Sequence, residues 1–166
     1  MVSETGNEDE VVDWFIDQFA QFWRSQGAAK SEGRIVGFML VCGKDRVSAD
    51  EIAKGAGVSR GSTSVYLRSL TEVGFVQRVP GESKARMYTM DVDVWGSFLR
   101  NERDYLKKQR ALAETALDRL PHLDAKSRNR LVNMRDYMTW LDGYHEVLTE
   151  QWDRVKAERG PAGEAE

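Results

Sequence analysis

Between residues 48 and 90 the chain carries two helix-start signals, two glycine stops and a turn, spaced so closely that few folds accommodate them. Ser48-Ala49-Asp50-Glu51 is a capping box, in which a Ser hydroxyl and a Glu three residues on satisfy each other's backbone donors. Ile52, Ala53 and Ala56 continue it as a short helix closed by Gly57. Ser59 is placed to cap a second helix that runs through Val73 to Gly74. The turn between them calls for Gly57, because a left-handed backbone costs more for any residue with a Cβ. Small Ala53 lets the two helices approach closely. Phe75-Val76-Gln77-Arg78-Val79 and Arg86-Met87-Tyr88-Thr89-Met90 are strand-like, with the turn residues Pro80-Gly81-Glu82-Ser83 between them, which predicts a β-hairpin. Capped helix, tight turn, helix and hairpin describe a winged helix-turn-helix.

The flanking segments are helical. Val11, Val12, Phe15, Phe19, Phe22 and Trp23 recur at the helical period over residues 8–26, with Gly27 as the stop. A second helix is expected from Ser31 to Cys42, ending at Gly43. From Asp93 the apolar positions Trp95, Phe98, Tyr105, Leu112, Ala116 and Leu120 line one face up to Pro121. A last helix spans about 126–159. Leu131, Met134, Met138, Leu141, His145, Leu148, Trp152 and Val155 step by three and four along it as a heptad seam. A second stripe of Tyr137, Trp140, Tyr144 and Val147 widens the apolar face. At 1.5 Å per residue such a helix is roughly 50 Å long, and two stripes over that length imply a partner, most economically a second copy. The expected architecture is mainly α: a winged helix-turn-helix over residues 31–90, a helix of the dimerisation region in residues 1–30, and a helical dimerisation region in residues 91–166.

Composition agrees with an ordinary folded chain: of 166 residues, 41% are hydrophobic and 31% charged, which argues against disorder of the whole. The longest apolar run, Val36 to Cys42, is far short of the about 20 residues a membrane span needs. The acidic start is unlike the basic opening of an export signal, and Cys42 alone excludes an intrachain disulfide, so a cytoplasmic location is expected. The net charge of −3 hides an uneven distribution. Residues 31–90 hold nine basic and six acidic side chains, whereas residues 1–30 and 91–166 are net negative. Local basic surface is what phosphate binding depends on.

The stretch Ser31–Tyr88 resembles the MarR superfamily of bacterial transcription regulators, in particular its GbsR-like branch. Glu32-Gly33-Arg34-Ile35-Val36-Gly37, Val58-Ser59-Arg60-Gly61-Ser62-Thr63-Ser64, Leu67-Arg68-Ser69-Leu70, Val73-Gly74-Phe75-Val76, and Arg86 with Tyr88 carry the resemblance. It implies a dimeric winged fold and a ligand-responsive regulator. The short wing loop with its Pro-Gly turn departs from the branch's pattern, and the namesake's link to choline and betaine metabolism does not transfer.

In the helix from Ser59, the residues Thr63, Tyr66, Leu67, Leu70 and Val73 make the core-facing stripe, leaving Arg60, Gly61, Ser64, Val65 and Arg68 on the opposite face. A recognition helix reads base edges with residues near its N-terminus. Arg60 suits a guanine edge, Ser64 a phosphate or base, and Val65 a thymine methyl, while Gly61 permits close backbone approach. Ser59 and Ser62 suit phosphates at the positive end of the helix dipole. Arg78, Lys84 and Arg86 sit on or beside the wing, where basic side chains reach the backbone or minor groove. Each has a plainer reading. Arg68 is spaced to pair with Glu72, Val65 fits an ordinary surface residue, and Arg86 could brace the wing against an acid.

Among the aromatics, Trp14, Phe19, Trp23, Trp95, Tyr137, Trp140 and Tyr144 are candidates to line a pocket for a small hydrophobic or cationic effector, beside their plainer role in packing. His122 and His145 lack the companions of a metal site, Cys42 reads as a buried structural thiol, and His145 as a buried, hydrogen-bonded seam residue. No Ser, Cys or Thr sits in a base motif and no phosphate loop is present, so neither catalysis nor a cofactor is expected. The expected function is sequence-specific binding of double-stranded DNA by a homodimer at a pseudo-palindromic operator, as a ligand-responsive repressor. The alternative is a winged-helix protein-interaction module.

Overall fold

The computed structural model describes residues 4–80 and 85–160. In chain order its elements are α1 (Glu4–Ser25), α2 (Lys30–Val41), β1 (Val47–Ser48), α3 (Ala49–Ala56), α4 (Arg60–Glu72), β2 (Gln77–Val79), β3 (Met87–Thr89), α5 (Val94–Arg119) and α6 (Ala125–Arg159). The chain divides into two compact units, Met1–Val94 and Trp95–Glu166. The class is mainly helical with a small antiparallel sheet, as the pattern of caps and turns predicts.

In the first unit α1 lies across α2 at close range. Ile16 and Ala20 are fully buried there, while Phe15, Phe19 and Trp23 are half-buried. Gly33 makes the approach possible: a Cβ on it would lie 2.6 Å from Trp23 Cβ and 2.9 Å from the Ala20 backbone. Val11 and Phe22, expected on the inner stripe, are exposed instead. Burial follows the narrow line of α1 that faces α2, and these two lie off it. Phe19 stacks on Trp23 at 5.4 Å, and Trp23 meets the Phe75 ring edge-on at 5.2 Å. Glu32 of α2 links three helices, accepting from Trp23 Nε1 at 3.2 Å and from the Ser69 hydroxyl of α4 at 3.0 Å.

The core of this unit is Ile35, Val36, Val47, Ile52, Ala56, Leu67, Leu70, Phe75 and Val76. Burying a side chain the size of Leu67 stabilises by roughly 1.5–3 kcal/mol. The sheet has three strands in the order β1-β3-β2, with Val47 opposite Tyr88 and Arg78 opposite Tyr88 on the other edge. The two-residue β1 is too short to show alternation, and the sequence pattern missed it. The Gly81–Ser83 part of the wing turn lies outside the described residues.

In the second unit α5 and α6 run antiparallel. Arg103 holds Asp142 at 2.6 Å and Glu146 at 3.3 Å, and Arg100 reaches Asp153 at 3.8 Å. Asp124 caps α6, accepting from the Ser127 backbone at 2.9 Å and its hydroxyl at 2.7 Å, and these bonds lower its carboxyl pKa. The heptad seam from Leu131 to Trp152 is half-buried, with His145 only 5% exposed, and Val155 at its end is exposed. The expected inner face of α5 is displaced. Trp95, Tyr105, Leu112 and Leu120 are exposed, and Leu106 and Ala113 are buried in their place. The broad apolar belt of α5 gives more than one possible inner line, and the register against α6 selects Leu106 and Ala113.

Candidate nucleic-acid interface

The geometry of the helix-turn-helix follows from its caps. Ser48 Oγ accepts from the Glu51 backbone at 3.2 Å, and Glu51 Oε2 accepts from the Ser48 backbone at 2.9 Å, closing the capping box at the start of α3. Lys44 Nζ donates to the other Glu51 oxygen at 2.8 Å. The Lys44 bond first, then those from Ser48, hold the Glu51 carboxyl down at about 2, and the same contact raises the Lys44 pKa. Gly57 turns the chain with φ +63°, in the left-handed region. Ser59 Oγ then accepts from the Ser62 backbone at 3.2 Å and starts α4.

On α4, Thr63, Leu67 and Leu70 are buried, and Tyr66 is half-buried. Val73, expected to continue this stripe, is 44% exposed because α4 ends at Glu72 and the chain turns there through Gly74 (φ +84°). The opposite face is open. Arg60, Gly61, Ser64, Val65 and Arg68 are all exposed, Val65 by 63%, and a Cβ on Gly61 would meet nothing within 4 Å. Ser59 is exposed and Ser62 half-buried, their hydroxyls 3.0 Å apart. Arg78 and Arg86 are exposed on and beside the wing, and the Arg86 carbonyl accepts from the Ala49 backbone at 3.2 Å. Lys84 lies outside the described residues.

Comparison with known proteins places this arrangement. Residues 93–156 match the model of the MmpR5-like MarR family transcriptional regulators, and residues 38–93 match that of the sugar-specific transcriptional regulator TrmB. The HTH-type transcriptional regulator MmpR5 of Mycobacterium tuberculosis (strain ATCC 25618 / H37Rv) is 26% identical over 144 residues, which are 85% of this chain and 86% of the relative. A crystal structure of a transcriptional regulator shares the fold with a TM-score of 0.77 at 22% identity, covering 86% of this chain and 98% of that one. The chain is thus similar to MarR-family transcriptional regulators, with the fold of a solved regulator.

The proteins it resembles are named as transcriptional regulators. Among the described residues no helix of this chain is long and apolar enough to cross a membrane. The aromatic candidates for an effector pocket fall in both units. Phe19 and Trp23 are packed between α1, α2 and Phe75, and Trp14 is exposed. In the second unit Tyr137, Trp140 and Tyr144 form an exposed ladder on α6, with ring centroids 5.8 and 6.0 Å apart. Trp95 is not part of that ladder. It lines a groove of about 510 Å³ between α5 and α6, together with Phe98, Leu99, Glu102, Leu148 and Trp152.

His145 is buried, as its seam position predicts, but the hydrogen bond expected of it is not formed among the described residues. Its Nε2 lies 3.6 Å from Glu102 of α5, and its Nδ1 has no hydrogen-bond partner among the described residues. Cys42 is half-buried just past the end of α2, more open than expected, with Met39 O 3.7 Å from its Sγ.

Two residues beyond the sequence-predicted set brace this candidate interface. Arg34 of α2 donates from Nε to the Ala56 carbonyl at 2.5 Å and pairs with Asp17 of α1, bracing the end of α3 just before the turn. Only its place in the Glu32–Gly37 motif marked it. Asp50 pairs with Arg60 Nε at 3.0 Å, a contact between residues ten apart that a helical spacing rule does not find.

Proposed function

We propose that this regulator binds a pseudo-palindromic operator as a homodimer, with α4 entering the major groove, and that it acts as a ligand-responsive repressor. The observation that carries this reading is the open face of α4 opposite its buried stripe, where Arg60, Gly61, Ser64, Val65 and Arg68 are all exposed. Arg60 would read guanine, Val65 a thymine methyl, and Ser64 a base or phosphate. Ser59, Ser62 and Arg68 would hold phosphates from the helix, and Arg78, Lys84 and Arg86 from the wing. The N-terminal helix through residue 30 and the helices from residue 91 would form the dimerisation region, using exposed apolar positions such as Leu112, Tyr137, Trp140 and Tyr144. The groove beside Trp95 is where we place a hydrophobic or cationic effector, with Glu102 as its acidic group. We also retain the GbsR-like placement on the strength of the Glu32–Gly37 and Val58–Ser64 motifs, and a cytoplasmic location as the setting such a regulator needs.

Substituting Arg60→Ala and Arg68→Ala separately tests the reading helix. Each is expected to weaken binding to the selected operator, Arg60→Ala by about tenfold with relaxed base preference. Arg68→Ala should reduce the slope of log affinity against log salt by about one. If both variants keep wild-type affinity and salt dependence, α4 is not the reading helix and the protein-interaction module takes its place.

A further inference from the structure

We propose that Asp50 is a specificity-determining residue of the DNA-binding face: its carboxylate pairs with Arg60 on the Nε side and biases the terminal guanidinium nitrogens toward a guanine edge. The proposal rests on the reading of α4 as the helix in the major groove. Asp50 belongs to the first turn of α3 and Arg60 to the first turn of α4, and the Gly57 turn brings them within 3.0 Å.

The pair does little for the fold. Its side chains are 82% and 69% exposed, and ion pairs so open to water contribute little to stability. The cap of α3 does not need Asp50 either, because Glu51 closes the capping box and takes Lys44. What the contact supplies is direction. A guanidinium carries five N–H donors in a rigid planar fork. The carboxylate lies against the Nε edge and leaves both terminal nitrogens to meet guanine O6 and N7 together. The otherwise flexible Arg60 side chain is thereby limited to fewer conformations before DNA arrives, and an arginine already oriented loses less freedom on binding.

The same carboxylate repels phosphate, so Asp50 also weakens binding to sequences that offer Arg60 no guanine. One residue then acts in both directions, for the right site and against the wrong ones.

Selection of wild type, Asp50→Asn, Arg60→Ala and the double variant from randomised duplex DNA tests this, followed by affinities on the enriched site and on random duplex. Arg60→Ala is expected to erase a guanine preference at one position of each half-site. Asp50→Asn should reduce that preference about two- to fivefold while affinity for random duplex holds or rises. In the Arg60→Ala background Asp50→Asn should change nothing at that position. If Arg60→Ala erases the preference and Asp50→Asn leaves it at the wild-type value, the proposal fails and the reading helix stands. If Arg60→Ala leaves every base preference intact, the assignment of α4 itself fails and takes the proposal with it.

Discussion

Gly57 shows how much of this fold is decided at single residues. With φ +63° it occupies a backbone region where a Cβ costs roughly 1–2 kcal/mol, and a Cβ there would also lie 3.3 Å from Arg34 Nη2. Gly57→Ala is therefore expected to lower the unfolding free energy by about that amount, seen as a shift of the urea midpoint with an unchanged m-value. Glu51 gives a prediction in pH. Its folded-state value of about 2 lies below the ordinary 4.5, so the stabilisation is complete above that ordinary value and is lost as pH falls from 4.5 toward 2. Glu51→Gln removes the titrating group while keeping a residue that a capping box accepts. The stability gap between wild type and Glu51→Gln should thus narrow from about pH 6 to about pH 3 in urea titrations, and a constant gap would deny the carboxylate this role.

At the scale of elements, α4 has a buried face that serves stability and an open face that we propose for recognition. Leu67 is fully buried, so Leu67→Ala should cost about 2–5 kcal/mol. Val65→Ala, at a position 63% exposed, should change stability by less than about 0.5 kcal/mol in the same denaturation assay yet weaken operator binding. The inner elements were legible because their signals are local. Ser48 with Glu51, Ser59, Gly57 and Gly74 each set a boundary through atoms a few residues apart. The outer helices were legible as helices but not in their facing. Val11, Phe22, Trp95 and Leu112 fit an amphipathic stripe as well as Ile16, Ala20, Leu106 and Ala113 do, and only the neighbouring helix decides which line is covered. β1 left no periodic trace because two residues have no period. In the candidate interface, the exposed set from Arg60 to Arg68 followed from the helical stripe. The Asp50–Arg60 and Arg34–Ala56 contacts did not, since each joins separate helices across a turn.

At the scale of the whole molecule, an overall charge of −3 coexists with a net-positive segment at residues 31–90, and the reading of that segment as a DNA surface depends on local rather than total charge. The proposed homodimer makes its own prediction. Trp140→Ser, on the exposed ladder of α6, should shift sedimentation toward monomer and reduce operator affinity more than tenfold while each chain stays helical by circular dichroism. Whether a dimer reads DNA through α4 is decided by selecting wild-type protein on randomised duplex DNA and sequencing the bound pool. Such a dimer should enrich an inverted repeat with half-sites about 34–36 Å apart along the helix axis and lose affinity steeply with salt. A pool without enrichment, bound weakly and released at modest salt, would contradict it.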